Sequence, residues 1–388
     1  MLVEVEVGPI AHGGHCVARH DGRVIFVRHA LPGERVRVEI TDPSHARFWR
    51  GDAVEVLVPS PDRVVPPCRI AGPGRCGGCD FQHADPTAQR RLKTQVLAEQ
   101  LERLAGLAWD GEVEAVPGPS GAPDGLGWRT RMRYRVDGSG RAAMRAHRSH
   151  ELIALPAEGC LIARAGSPDV VEGSWPPGSE LVAIAAADGP VLLVDGDPVI
   201  GGPLLQERAA GRTWELAADG FWQVHPAAAD TLVAAVLDGL RPQPGERAFD
   251  LYCGVGLFAG ALSGAGCRVW AVESSPGAVE SAHRNLADAP VHVRVLTGRV
   301  DVRLPRMSER VDLVVLDPPR TGAGKAVITE ILRRRPRAVA YVACDPAALA
   351  RDLGTARGLD YELAGLRAYD LFPMTHHLEA VAILEPSG

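Results

Sequence analysis

The stretch RAFDLYCGVG, residues 247–256, runs from an apolar segment into a glycine turn. A strand carrying Asp250 toward its end, with Gly254 and Gly256 opening the turn after it, reads as backbone delivered to a ligand, because glycine lets a bound molecule approach the chain closely. Downstream come CRVWAVE, the helical SPGAVESAHRNLAD, then VHVRVLT, VDLVVLDPP and AVAYVACD. Apolar strands separated by helices predict a mostly parallel sheet covered on both faces, a Rossmann-like arrangement over residues 209–388. Ligands of such sheets lie beyond the carboxyl ends of the strands. Glu273 ends the next strand at about the twenty-residue interval at which an acid meets ribose hydroxyls. Asp317-Pro318-Pro319 would place a carboxylate and a rigid apolar edge on the same rim, unless the acid only caps a helix.

Upstream the texture differs. Residues 1–60 alternate apolar and polar positions in LVEVEV, RVIFV, ERVRVEI and DAVEVLV, which predicts a small OB-like β-barrel, a nucleic-acid binder or a structural module. A proline-rich joint, VPSPDRVVPPC, leads to CRIAGPGRCGGC and then to a helix with Asp85 as N-cap and Pro86 in its first turn. Residues 61–208 are expected to form a central α+β domain. Its Cys68, Cys76 and Cys79, with the distant Cys160, suit an iron-sulfur cluster or zinc better than disulfides. Within GWRTRMRYRV, residues 127–136, Trp128, Met132 and Tyr134 fall on one face of a strand and Arg129, Arg131, Arg133 and Arg135 on the other. That ribbon is either a phosphate track for RNA or a solvated charged strand.

The chain of 388 residues carries a formal net charge of -6, so any nucleic-acid surface must be local rather than global. No apolar run is long enough to span a bilayer, and MLVEVEVGPI lacks the basic-then-apolar order of a signal peptide. The expectation is a cytoplasmic protein with no membrane and no obligatory protein partner.

Cys344 ends the apolar run of YVACDP and projects toward the rim that holds Gly254, Glu273 and Asp317. Buried cysteine commonly packs as a small hydrophobe, but at a strand end beside acids a nucleophile is the stronger reading. A thiolate that adds to carbon 6 of uracil makes carbon 5 able to attack a methyl sulfonium, after which a base must remove the carbon 5 proton. In LFPMTHHLEAVAIL, Glu379 precedes an apolar final strand and is the candidate base, with a structural salt bridge as the alternative; His376 and His377 read as a loop.

Five segments in order, FWQVH (221–225), DLYCGVGLF (250–258), LDPPRTGAG (316–324), YVACDPAALARD (341–352) and HHLEAVAIL (376–384), resemble the RNA uracil-5 methyltransferase family. The resemblance implies a multidomain α/β protein with an N-terminal TRAM barrel, a central cluster-binding domain and a C-terminal class I methyltransferase domain. It implies S-adenosyl-L-methionine as donor, transfer or 23S ribosomal RNA as substrate, Cys344 as nucleophile and Glu379 as proton acceptor. Gln223, Tyr252, Gly254, Gly256, Glu273 and Asp317 would hold the donor, and Cys68, Cys76, Cys79 and Cys160 a 4Fe-4S cluster. The chain departs from the family pattern at His225, Leu257 and Asp345, where Asn is usual, and these departures leave a catalytically weakened RNA-binding protein as the rival reading. Arg320 stands where a cytosine-5 enzyme would carry a second cysteine.

Overall fold

A computed structural model describes residues 1–308 and 310–387. Five strands, β1 (Leu2–Ala11), β2 (His15–His20), β3 (Arg23–Arg28), β4 (Arg35–Asp42) and β5 (Phe48–Val58), close a barrel in the order β1-β2-β3-β5-β4. Alternation does the folding here: Val3, Val5, Val7, Val36 and Val38 point inward while the intervening charged residues stay wet. Where β5 crosses β4, a Cβ on Gly51 would lie 2.7 Å from the Glu39 carbonyl oxygen, so only glycine permits that approach.

Helix α1 (Pro86–Ala105) starts as its sequence predicts, with the Asp85 carboxylate accepting from Thr87 N at 2.9 Å. Strand β6 (Val113–Ala115) follows. The central sheet, ordered β12-β11-β10-β7-β8-β9, is built from β7 (Arg131–Val136), β8 (Ala142–Arg145), β9 (Leu152–Ala154), β10 (Glu180–Ala186), β11 (Gly189–Val194) and β12 (Asp197–Ile200). A hairpin, β13 (Leu204–Ala209) and β14 (Arg212–Ala217), and helix α2 (Ala228–Leu240) lead into the last unit.

That unit runs β15 (Arg247–Leu251), α3 (Leu257–Gly264), β16 (Arg268–Glu273), α4 (Pro276–Asn285), β17 (Val293–Thr297), α5 (Val300–Arg303), β18 (Leu313–Leu316), α6 (Gly324–Leu332), β19 (Ala338–Ala343), α7 (Pro346–Arg357), β20 (Tyr361–Asp370) and β21 (Glu379–Pro386). Its eight strands are ordered β17-β16-β15-β18-β19-β21-β20-β6. From β15 the chain first moves outward through β16 and β17, then returns to β18 on the other side. This reversal opens a crevice between β15 and β18 at their carboxyl ends.

Packing crosses the boundaries expected from sequence texture. Leu97, Leu101 and Val113, upstream of the central sheet, share a core with Leu349, Leu353 and Ala356 of α7, and β6 pairs in parallel with β20. Leu97 and Leu101 of α1 find their complement on α7 and on β6, which follows α1 directly in sequence, rather than on the central sheet. Among the described residues no helix is long and apolar enough to cross a membrane.

Candidate active site

The turn after β15 is strained in the way a ligand loop requires. Tyr252 takes φ +65°, unusual for a residue with a side chain, and Gly254 and Gly256 take φ +54° and +96°. A Cβ at Gly256 would meet Leu286 Cδ1 at 2.7 Å. Asp250 is fully buried and fixes the turn by accepting from Ala259 N at 2.7 Å. Glu273 accepts from Gly254 N at 3.0 Å and, through its other oxygen, from Ser274 N and Ser275 N at 2.6 and 2.7 Å. Tyr252, Glu273, Arg299, Asp301, Pro319 and Thr321 line a cavity of about 370 Å³ at this end of the sheet. Arg299 and Asp301, which pair with one another at 2.7 Å, escaped the sequence reading; their only signal was their place just after the third strand of the series.

Burial pushes the Asp250 carboxyl up to about 8, and the neighbouring acids Asp317 and Glu273 push in the same direction. Folding therefore binds a proton at Asp250, and the contribution of this group to stability is greatest at low pH. It falls from the unfolded value of about 4 up to the folded value, by as much as ~1.4 kcal/mol per pH unit. Asp250→Asn should flatten this slope by one proton's worth, read by urea unfolding of donor-free protein at pH 5 and pH 8.

The second cavity, about 230 Å³, lies over the end of β19 and is lined by His12, Gly14, Lys93, Arg320, Cys344 and His376 among others. Cys344 is half-buried, and burial pushes its thiol up to about 12, helped by the charges of Glu379 and Asp317 and opposed by Arg320. Glu379 opens β21 and is buried; desolvation, then Asp317, holds its carboxyl well above the usual range while Arg320 pulls it down. Asp317 is likewise raised by burial, to about 7. Asp317 after β18, Cys344 after β19 and Glu379 at the start of β21 thus stand at one end of the sheet, with one guanidinium among them. That guanidinium is Arg320, which the sequence placed within LDPPRTGAG, at the position where a cytosine-5 enzyme would carry a cysteine. Asp345 caps α7 through Ala348 N at 2.8 Å and holds His12 Nε2 at 3.1 Å, so the β1–β2 turn of the barrel forms one wall of the cysteine's cavity.

A model of the tRNA (uracil-5-)-methyltransferase family matches residues 184–387, and a TRAM domain model matches residues 2–54. The chain belongs to the tRNA (uracil-5-)-methyltransferase family. This membership makes it an RNA (uracil-5-)-methyltransferase with a TRAM barrel at its start. It is 51% identical to an "Uncharacterized RNA methyltransferase" of Streptomyces avermitilis, over 99% of this chain and 98% of that protein. It is 31% identical to the 23S rRNA (uracil(1939)-C(5))-methyltransferase of Thiobacillus denitrificans, over 98% of this chain and 99% of that protein. The fold is shared with the Pyrococcus abyssi tRNA (uracil-54, C5)-methyltransferase crystallised with S-adenosyl-L-homocysteine: TM-score 0.71, 23% identity, 97% of this chain and 99% of that one.

Other residues singled out in this uracil-5 methyltransferase fall into separate places. Gln223 borders a third recess, about 600 Å³, with Thr130, Arg164, Glu207 and Trp222, rather than the cavity that holds Glu273. His225 is buried against Trp128, accepts from Ala227 N at 3.2 Å, and is driven down to about 4 by burial, so it is a neutral support for the start of α2.

Cys68, Cys76, Cys79 and Cys160 line a single cavity of about 200 Å³, and none is in a disulfide. Burial is the first cause that raises the Cys76, Cys79 and Cys160 thiols, and their mutual repulsion adds to it. Among the described residues no group of three or more His, Cys, Asp or Glu side chains is disposed to hold a metal ion.

The four arginines of the 127–136 ribbon divide, and the expected phosphate track narrows. Arg129 lies over the Trp128 ring and lines the cysteine cavity. Arg131 donates to the carbonyls of Ala218 and Gly220 at 3.1 and 2.8 Å, because the central sheet buries that end of the strand under the 218–220 turn. Arg133 and Arg135 share Glu180 and border an open groove of about 570 Å³ with Arg145, His147 and Arg148. Sequence alternation marked which face was charged, but not which charges the protein keeps for itself.

Proposed function

We propose that the protein transfers a methyl group from S-adenosylmethionine to carbon 5 of an unpaired uridine in ribosomal or transfer RNA, through a covalent Cys344–uracil adduct. The observation that carries this reading is the pairing of a thiol and a buried acid, Cys344 and Glu379, at the adjoining ends of β19 and β21, where Ala343 pairs with Ala380, at the same end of the sheet as Asp317 after β18. A packing cysteine needs no such neighbours.

The chemistry follows from the groups present. Cys344 gives its proton to water and its sulfur, as thiolate, bonds to carbon 6 of the base, so that the electron pair of the 5,6 double bond becomes available at carbon 5. Carbon 5 then bonds to the donor methyl as the methyl–sulfonium bond breaks. Glu379, as carboxylate, takes the carbon 5 proton; the released pair restores the double bond and expels the thiolate. Burial and like charge push both groups toward their protonated forms, because two anions side by side are disfavoured there. Arg320 opposes that repulsion at both and helps either group ionise in turn. Tyr252, Gly254, Gly256, Glu273 and Asp317 would hold the donor, with Gln223 at the edge of the neighbouring recess, and the Arg133–Arg135 groove with the TRAM barrel would hold RNA backbone. The unit bounds that go with this reading are 1–60, 61–208 and 209–388.

Four unpaired thiols around one cavity fit a 4Fe-4S cluster, which spaces its thiolates more widely than a single ion does. Cys68, Cys76, Cys79 and Cys160 would hold it, and it would tie the 68–79 loop to the segment at 160. The rival reading, an RNA binder with a weakened methyltransferase half, is less economical, since His225 and Asp345 have structural partners while Cys344 and Glu379 stand at adjoining strand ends, an arrangement a binding module does not need.

The test is transfer of labelled methyl from S-adenosylmethionine to unmodified transfer RNA and ribosomal RNA, separately, with protein purified without oxygen. 5-Methyluridine is expected in one pool. No product in either pool from folded, cluster-loaded protein would favour the binding reading.

A further inference from the structure

The loop that joins β20 to β21, residues 371–378, ends at Glu379 and is held from outside. Its Met374 takes φ +66°, a strained setting for a side-chain-bearing residue, and both of its backbone groups are committed. Met374 N donates to Gln89 Oε1 of α1 at 2.8 Å, and its carbonyl accepts from Asp80 N and Phe81 N at 2.9 and 3.0 Å. Two residues on, the Asp80 carboxylate oxygen Oδ2 accepts from His376 N at 3.1 Å and meets His376 Nδ1 at 2.6 Å. The other oxygen of Asp80 accepts from Arg28 of the barrel at 3.3 Å. Asp80 is nine-tenths buried at its side chain, so these contacts are shielded from competing water. A single aspartate, one residue past Cys79, thereby binds the barrel, the cysteine loop and the base segment together.

Two routes lead from it to the reacting groups. Along the chain, Glu379 stands three residues from His376, within about 10 Å even if extended. Through side chains, the His376 ring packs on His377 at 4.0 Å between centroids, and His377 Nε2 lies 3.3 Å from Arg320 Nη2. Arg320 is the cation that moderates both Cys344 and Glu379.

We infer that Asp80 is a positioning residue for the proton-removal step: it holds the strained 374–376 segment so that Glu379, three residues on, reaches the methylated adduct. The inference rests on the reading of Glu379 as proton acceptor. A carboxylate displaced by about 1 Å can cost on the order of a hundredfold in rate, while steps that do not use it are spared.

Asp80→Ala is therefore expected to slow multiple turnover about a hundredfold and to leave single-turnover methyl transfer within about threefold of wild type. A denaturation-resistant protein–RNA adduct carrying the labelled methyl should build up toward one per enzyme, because the thiolate cannot leave until the carbon 5 proton has gone. Gln89→Ala releases Met374 N, and with it the Phe81 and Ala84 carbonyls that the Gln89 amide holds at 3.1 and 2.9 Å, while leaving the Asp80 carboxylate in place; it decides the matter if Asp80→Ala does not fold, and the same adduct is expected. Methyl transfer and turnover falling together without adduct, in a variant that melts like wild type, would overturn the inference. Glu379→Gln is the control: adduct there but in neither variant defeats the role of Asp80 alone, whereas no adduct in Glu379→Gln defeats the reading beneath it.

Discussion

Cys344→Ala should abolish formation of 5-methyluridine, by at least about four orders of magnitude, on the precedent of covalent enzymes that lose their nucleophile. Without sulfur at carbon 6, carbon 5 of uracil has too little electron density to attack the methyl donor, and nothing else on the rim can supply it. Donor affinity should stay within about twofold of wild type, because Cys344 lines the cavity of His12 and His376 rather than that of Tyr252 and Glu273. Equilibrium binding of S-adenosylmethionine measured beside turnover separates the two effects. A second readout uses the thiol itself. Pushed up to about 12, Cys344 is almost wholly protonated in free protein at pH 8, where an ordinary cysteine with a value of about 8.5 is substantially thiolate. Iodoacetamide should modify it roughly a thousandfold more slowly than an unperturbed thiol, and faster as pH rises. Retained methylation by Cys344→Ala would refute the covalent route, whereas rapid alkylation at pH 7 would show that the thiol of the free protein is not raised as its burial indicates.

The parts of this enzyme that sequence discloses are those governed by local rules. Period-two alternation foretold the barrel and the buried row Trp128, Met132, Tyr134; strand-helix alternation foretold the parallel sheet; Asp85 and Pro86 foretold the start of α1. Gly254 and Gly256 declared a turn because their backbone angles exclude most other residues. What sequence hid depends on docking between distant segments. Nothing in the barrel pattern says that His12 will meet Asp345, 333 positions away, or that the turn of Gly13 and Gly14 will wall the cavity of Cys344. Nothing in an arginine ribbon says that Arg131 will be spent on two carbonyls while Arg133 faces a groove. Such facts arise from tertiary satisfaction of buried polar groups, which carries no short-range signature.

Lys93 illustrates the same limit with the largest expected effect on stability. In sequence it is one basic residue among several on an amphipathic helix. In the fold its side chain is fully buried, with Nζ 2.6 Å from Asp370 Oδ1 and 3.0 Å from the Phe372 carbonyl. Burial drives the ammonium down and Asp370 drives it up, with burial the larger influence. Removing only the cation strands the Asp370 carboxylate in a dry site, a loss typically of about 3–5 kcal/mol, whereas replacing both charges by neutral groups restores much of it. Lys93→Met should therefore lower unfolding stability by that amount in urea titrations, and Lys93→Met with Asp370→Asn should lose markedly less than the single variant. Equal losses in the two proteins would show that the ammonium matters through Phe372 alone. The pair joins α1 to the first residues of the loop that Asp80 and Gln89 grip further along, so the single variant should also slow turnover before it unfolds. The helix upstream of the central sheet thus supplies the cation and the amide side chain that hold the strained 371–378 loop in place.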